Sequence, residues 1–358
     1  MEKLKNNFDA TINFSGPIIK ESIPEREIPK LPNFIFILTD DQDRLLGKSG
    51  YSSYGSMEIM PNLKTKLIDE GAVVDNFLVN TPICCPSRTE FLTGRYFHNV
   101  GPPNKKGNCM NADTSFVSSN TTGLFGVLKN HGYNVGIFGK VTNDQENILS
   151  QISGDSNSAT YIDSPLEYNN FTGNVYWRYW SANNTAFNET LSTGKPIFGT
   201  SYQSTQIGNR TIRWLESIID EWNNDVNDLK EDIRPFFAYI GPHAPHFPAQ
   251  PAPWYEHAFD DIDLPITPNY NISSPDKPNH IRQNPPFDDR VKCWQDQHFR
   301  DRWASLLSID DIVYDVYEFL KEKGVLENTY IIYSSDHGYK LGQWRIGKAI
   351  SNNSFGNF

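Results

Sequence analysis

The run Phe34-Ile35-Phe36-Ile37-Leu38 is apolar at five consecutive positions and then breaks into Thr39-Asp40-Asp41. A strand with one wet face alternates apolar and polar residues. A strand with no polar position is buried on both faces and needs cover on both sides. Ala72 to Val79, Tyr133 to Phe138, Pro235 to Ile240 and Tyr330 to Tyr333 also read as strands. Helical spacing falls between them at Pro61–Glu70, Pro86–Gly94, Thr122–Asn130, Gln203–Asn223 and Gln297–Lys323. This alternation predicts an α/β domain whose largely parallel sheet is sandwiched between helices. Such sheets place their sites at the C-terminal strand ends. Here those ends carry Asp40-Asp41, Gly139-Lys140, the His243 and His246 segment, and Asp336-His337.

Residues 1–31 read as an irregular leader, and Asp144 to Thr200, rich in Asn, Ser, Thr, Gly and aromatics, as long surface insertions. The 358 residues carry a formal charge of −11, so no global basic field attracts nucleic acid or an acidic membrane. An anionic substrate must then be held by a few local cations. No apolar run approaches the roughly 20 residues that span a bilayer, and Met1 to Ala10 is too polar for a signal-peptide core. Cys84, Cys85, Cys109 and Cys293 are too few and scattered to suggest a disulfide framework, and no CxxC spacing points to zinc. Sequons at Asn13, Asn120, Asn170, Asn183, Asn188, Asn209, Asn271 and Asn352 lean toward a secretory route. An Asn-rich chain also produces such triplets by chance, and both readings stand.

Asp40-Asp41 and Asp336-His337 each follow an apolar strand, so the two pairs can meet at one sheet edge as ligands of a divalent cation. Acidic pairs that merely cap loops or helices are the bland alternative. More specific is Cys84-Cys85-Pro86-Ser87-Arg88 followed by Leu92-Thr93-Gly94-Arg95, which fits C-x-P-S-R-x-x-x-L-T-G without a mismatch. That pattern resembles the signature of the formylglycine-dependent sulfatases. The resemblance implies that Cys84, and not Cys85, is oxidised to formylglycine (3-oxoalanine) by a formylglycine-generating enzyme. Hydrated, that aldehyde offers a gem-diol oxygen to attack sulfur and can later expel sulfate.

The resemblance extends to Pro32–Asp41 and to Asn328–Gly338, which look like the family's two metal strands. It implies an alkaline-phosphatase-like fold and a cation, calcium with magnesium as the alternative, held by Asp40, Asp41, Asp336, His337 and the Cys84-derived oxygen. It further implies that Lys140 contacts the sulfate, that His246 faces the leaving-group oxygen, that Arg88 braces the nucleophile, and that Lys348 is a second sulfate contact. From the residues alone, Lys140 could as well be a surface lysine, and His243 or His246 a loop histidine. A helix starting near Pro86 would aim backbone N–H groups at the same anion.

The likeness runs from about Pro32 to about Lys348, read as a catalytic domain over 32–348 that lacks the family's C-terminal subdomain, with 349–358 as an unrelated tail. Thr142 stands where many relatives carry histidine. Cys-Cys in the signature with Ala244-Pro245-His246 resembles N-acetylglucosamine-6-sulfatases and related arylsulfatases, which implies an aryl sulfate or a sulfated glycan as substrate and a lysosomal or extracellular destination. Trp177, Trp180 and Trp254 are candidate glycan contacts, or packing. Two other readings stay open: an inactive sulfatase-like protein that binds glycans, and a phosphoester hydrolase of the same superfamily.

Overall fold

The structure is a computed structural model, and it describes residues 29–43, 55–74, 77–100, 122–142, 160–163, 202–227 and 233–346. The continuous apolar runs become the strands β1 (Asn33–Thr39), β2 (Asn134–Gly139), β4 (Phe236–Gly241) and β5 (Thr329–Ser335), joined by β3 (Thr160–Asp163). They form one sheet in the order β3-β2-β4-β1-β5 with every pairing parallel. All five therefore point their C-terminal ends to the same edge.

The helices that cover the sheet are α1 (Cys84–Thr93), α2 (Leu124–Asn130), α3 (Gln203–Asn227) and α4 (Asp289–Glu322). Successive side chains of a strand face opposite ways. Ile35 and Ile37 of β1 accordingly join Phe138, Phe236, Ala238 and Ile240 under α3 and α4, against Trp214, Leu215, Trp222, Phe299, Trp303 and Ile309. Phe36 and Leu38 face the other way, with Val135, Ile137, Phe237 and Tyr239, against Leu92 of α1 and Phe125 of α2. Each such side chain contributes roughly 1.5–3 kcal/mol by leaving water. Helices thus cover both faces, as the unbroken apolar runs require. At the edge, β5 leaves Tyr330 62% and Ile332 43% exposed.

Several local expectations are corrected. Ala72 to Val79 is not a strand among its described residues. Its apolar positions come in two runs of three, 72–74 and 77–79, and do not alternate, and Val74, Phe77 and Leu78 are exposed. The helix expected over Pro61–Glu70 includes a π-helical segment, Leu63–Ile68, with the Asn62 and Leu63 N–H groups donating to Asp310 at 3.0 and 2.7 Å. The stretch read as insertions supplies the strand β3. α4 begins eight residues earlier than expected, where the Asp288 carboxylate accepts from the Val291 N–H at 2.9 Å. No described helix is long and apolar enough to cross a membrane.

Lys348, Trp177, Trp180, Cys109, the 349–358 tail, most of the leader, and the sequons at Asn13, Asn120, Asn170, Asn183, Asn188 and Asn352 lie outside the described residues. Of the remaining sequons, Asn209 lies within α3, and the Asn271 amide oxygen accepts from the Phe287 N–H at 2.9 Å.

Candidate active site at the C-terminal sheet edge

β1 ends by delivering Asp40, wholly buried, and then turns sharply through Asp41 at φ 68°. That left-handed conformation is uncommon for a residue with a Cβ, and Asp is among the few that tolerate it. It is fixed from two sides: the Asp41 N–H donates to Asp336 Oδ1 at 3.0 Å, and Arg302 Nη2 donates to the Asp41 carbonyl at 2.6 Å. The end of β5 is thereby tied to the end of β1.

Arg88, on α1, fills the space beneath with no exposed surface. Its Nε donates to Asp336 Oδ2 at 2.8 Å, Nη1 to the Lys140 carbonyl at 2.8 Å and the Tyr239 hydroxyl at 2.9 Å, and Nη2 to the Thr39 carbonyl at 3.3 Å. One guanidinium therefore joins α1 to β1, β4, β5 and the end of β2. Burial works against its charge, but Asp336, Tyr239 and Asp40 more than offset that cost and its pKa is raised.

α1 starts on Cys84, with Ile83 as its cap residue, two residues before the position expected from Pro86. Pro86 is tolerated there because the N–H groups of the first turn have no helical partner. Cys84 is a free, buried thiol, 3.3 Å from His337 Nε2 and 3.9 Å from Asp41 Oδ1. Burial pushes its pKa up. Its neighbour Cys85 is disulfide-bonded, a pairing that the number and scatter of the cysteines did not suggest. The spacing of four cysteines does not reveal connectivity, and the two adjacent sulfurs have separate fates.

Lys140 follows the Gly139 turn at φ 85°, where an added Cβ would sit 2.2 Å from the Gly241 carbonyl oxygen. Only glycine lets β2 close on β4 here, and the Lys140 N–H donates to that same oxygen at 2.7 Å. The side chain is buried, and its Nζ donates to Asp40 Oδ2 at 2.6 Å. His243 Nε2 lies 3.5 Å from the same carboxylate oxygen. Asp40 Oδ1 accepts no hydrogen bond, and Arg88 Nη2 stands 3.7 Å away. Although burial alone would raise the Asp40 pKa, Lys140, His246, Arg88 and His243 hold it well below the usual carboxylate range.

Ligand atoms of Asp40, Asp41, Cys84 and His337 all lie within 4.8 Å of one another, and those of Asp40, His243 and His246 form a second such group. His337 Nδ1 is engaged with the Gly338 carbonyl at 2.8 Å, and Nε2 lies 3.0 Å from Asp41 Oδ1. An unpartnered buried carboxylate oxygen, a second carboxylate and an imidazole nitrogen fit one hard divalent cation. Asp336 is outside that group, with Oδ2 turned to Arg88 and Oδ1 accepting from the Asp41 and His337 N–H groups. Next to the group stands His246, whose Nδ1 meets the Phe247 carbonyl at 2.6 Å and whose ring hydrogen-bonds Cys84. Burial lowers the His246 pKa, but Asp40, Asp41 and the Cys84 bond prevail and raise it to about 9. His243, flanked by His246 and Lys140, is instead pushed well below its ordinary value, mainly by burial.

Every described residue expected at the site is therefore at one sheet edge: Asp40, Asp41, Cys84, Arg88, Lys140, His246, Asp336 and His337. Sequence reasoning missed Arg302, Tyr239 and Ser87, whose Oγ donates to the Asp336 carbonyl at 2.5 Å. Only Ser87, inside the signature, carried a signal. Arg302 also pairs with Asp43 at 2.8 Å.

Clustered acids, buried cations and the free Cys84 thiol thus meet at the C-terminal edge of a parallel α/β sheet. The pattern that describes the Sulfatase family matches residues 32–356, and the chain belongs to that family. It is 32% identical over 321 residues to a human N-acetylglucosamine-6-sulfatase, covering 88% of this chain and 52% of that one. An extracellular sulfatase SULF-1 homolog from Drosophila melanogaster is 32% identical over 330 residues, 89% of this chain and 26% of that one. The chain thus spans about half the length of the first of these relatives, and less of the second. Among solved structures, one in complex with its substrate D-glucosamine-2-N,6-O-disulfate superposes with a TM-score of 0.53 at 19% identity, over 87% of this chain and 67% of that one. The phosphonate monoester hydrolase of Agrobacterium radiobacter superposes at 0.54 and 15%, over 86% and 62%. The fold is the expected alkaline-phosphatase-like α/β architecture.

Proposed function

We propose that the chain hydrolyses sulfate esters, with Cys84 converted to formylglycine as the nucleophile. The observation that supports this most is the pairing of a free Cys84, set among Asp41, His337 and His246, with a disulfide-bonded Cys85. Asp40, Asp41 and His337, with Asp336 and the Cys84-derived oxygen, would hold calcium, or magnesium in its place. Bound there, the cation supplies positive charge that draws electron density from the sulfate and lowers the pKa of an oxygen nucleophile.

The protein's own residues have separable tasks. Lys140, kept cationic by Asp40 although burial opposes it, lies where it neutralises a sulfate oxygen as charge builds in the transition state. Arg88 touches no solvent and acts as a positioning residue, locking α1 and hence Cys84 against β5. Against burial, Asp40, Asp41 and the bond to Cys84 raise the His246 pKa to about 9, the direction that a leaving-group acid needs. The His246 Nδ1 is engaged by the Phe247 carbonyl and its ring also bonds Cys84, so it stands beside the nucleophile, where it would protonate the departing alcohol. Lys348, outside the described residues, is proposed as a second sulfate contact.

The substrate reading is a sulfated amino sugar, following the human relative's name, with aryl sulfates as surrogates. A disulfide at Cys85 and the extracellular assignment in the Drosophila relative's name favour the secretory route, where the formylglycine-generating enzyme would meet the chain. The test is co-expression with that enzyme in a secretory host, followed by the mass of the tryptic peptide spanning Cys84 and by hydrolysis of aryl sulfate beside aryl phosphate, with and without calcium. Formylglycine with calcium-dependent sulfate release is the expected result. Formylglycine without turnover, or preference for the phosphate ester, overturns the reading.

A further inference from the structure

Four aromatic rings from three parts of the chain meet beside His246, and the sulfate chemistry uses none of them. Phe247 follows His246 directly, Tyr339 lies two residues after His337, and Trp294 and His298 belong to α4. Trp294 and His298 stack at 4.9 Å between centroids with 20° between planes, Phe247 meets His298 at 5.5 Å, and His298 meets Tyr339 at 5.3 Å. Phe247 and Trp294 approach at 6.4 Å.

Trp294, His298 and Arg302 are spaced by four residues, so they share one face of α4. That face runs inward: Trp294 is half-buried, His298 is 3% exposed, and Arg302, 2% exposed, reaches the Asp41 carbonyl. Arg302 also lies under the Tyr339 ring, Cζ 4.4 Å from its centroid, and the Tyr339 hydroxyl meets His298 Nε2 at 3.1 Å. The inner rings are thus locked by polar partners. The outer ring is not covered: Phe247 is 49% exposed although its neighbour in sequence faces the nucleophile. A core residue would hide that ring, whereas a wall at a site's mouth leaves it for a ligand.

We propose that Phe247 and Trp294, backed by His298 and Tyr339, form a stacking wall for the pyranose ring that carries the sulfate. This rests on the sulfate-ester reading above and adds to it how the ring is recognised. The apolar C–H face of a sugar would lie on the aromatic faces, with its sulfate directed past His246 toward Lys140.

The test uses the formylglycine-bearing, calcium-loaded chain and sulfate release from N-acetylglucosamine 6-sulfate, with inorganic sulfate as a ringless competitive inhibitor. Trp294→Ala and Phe247→Ala are expected each to raise KM about ten-fold with much less change in kcat, the scale of one lost aromatic contact. The sulfate inhibition constant should move far less than KM, and Trp294→Phe should recover most of the loss. Unchanged KM in both alanine variants of an active chain overturns the wall alone. So does a parallel rise of KM and the sulfate inhibition constant with a fallen melting temperature, which is the signature of a packing role. A parent chain that neither hydrolyses the sugar sulfate nor is occupied by sulfate overturns the sulfate-ester reading, and the wall with it.

Discussion

Asp40, Arg88, Lys140 and Asp336 sit at strand ends and on α1, none more than 4% exposed, and each is held by partners from other elements. His246 and Phe247 sit on the loop after β4, half-buried and exposed, and the His246 Nδ1 meets the Phe247 carbonyl. The first group is a set of buried charges in which every member compensates another. The second is a rim that touches the reacting centre from outside. Removing a member of the first strands a charge away from water, so fold and chemistry suffer together. Removing a member of the second leaves no orphan in the core, so chemistry should suffer alone.

Arg88→Ala is the strongest attempt to break that contrast. It leaves the Asp336 carboxylate without its guanidinium partner in a site closed to solvent. Stability should fall by about 3–5 kcal/mol, read as a lower urea midpoint at constant slope, together with loss of turnover. A midpoint close to that of the parent would mean that the buried set is not held together as described. His246→Gln probes the rim. Its rate should drop by about 10²–10⁴-fold for a sugar sulfate and much less for an aryl sulfate whose phenolate leaves unaided, with melting close to that of the parent. Equal losses on both substrates would remove His246 from leaving-group protonation. Lys140→Met lies between the two. Asp40 keeps Arg88 and His243 nearby, so the expected rate loss is about 10²–10³-fold with only a moderate stability change.

The same contrast separates what the sequence revealed from what it hid. Strand ends were legible because an unbroken apolar run that stops at Asp40 or Asp336 states both its burial and its edge. Cys84 and Arg88 were legible through a contiguous pattern. Arg302 was not: it sits mid-helix among residues that read as a covering face, and its role depends on a carbonyl 261 positions away in the chain. The Cys85 disulfide was hidden because spacing does not encode connectivity. The resemblance already pointed to His246 rather than His243, and the structure adds the physical contrast: burial and cationic neighbours push the His243 pKa down while, against burial, Asp40 and Asp41 push that of His246 up. The apolar residues of 72–79 misled because two short runs parted by Asp75-Asn76 give neither the alternation of a strand with one wet face nor the unbroken run of a strand buried on both.

The finest test falls on His298, at the boundary of the two groups. Burial first, then the cations Arg302 and His246, push its pKa from the ordinary 6.5 down to about 3, and the Tyr339 hydroxyl is its hydrogen-bond partner. Below about pH 6.5 the unfolded chain binds a proton at this residue that the folded chain refuses. Stability is therefore fully present above pH 6.5 and is lost as pH falls toward 3, at no more than about 1.4 kcal/mol per pH unit. Other groups titrate in the same window, so the measurement is a difference: urea midpoints of the parent and of His298→Gln at pH 7.5, 6.5 and 5.5. Gln cannot titrate and can still reach Tyr339. The parent should lose about 1 kcal/mol more than the variant between pH 6.5 and 5.5, and nothing extra between 7.5 and 6.5 beyond the tail of the titration. Parallel curves would mean that His298 accepts its proton in the folded state. The inner end of the aromatic wall would then be wet, and the line between buried set and rim would lie deeper than Arg302.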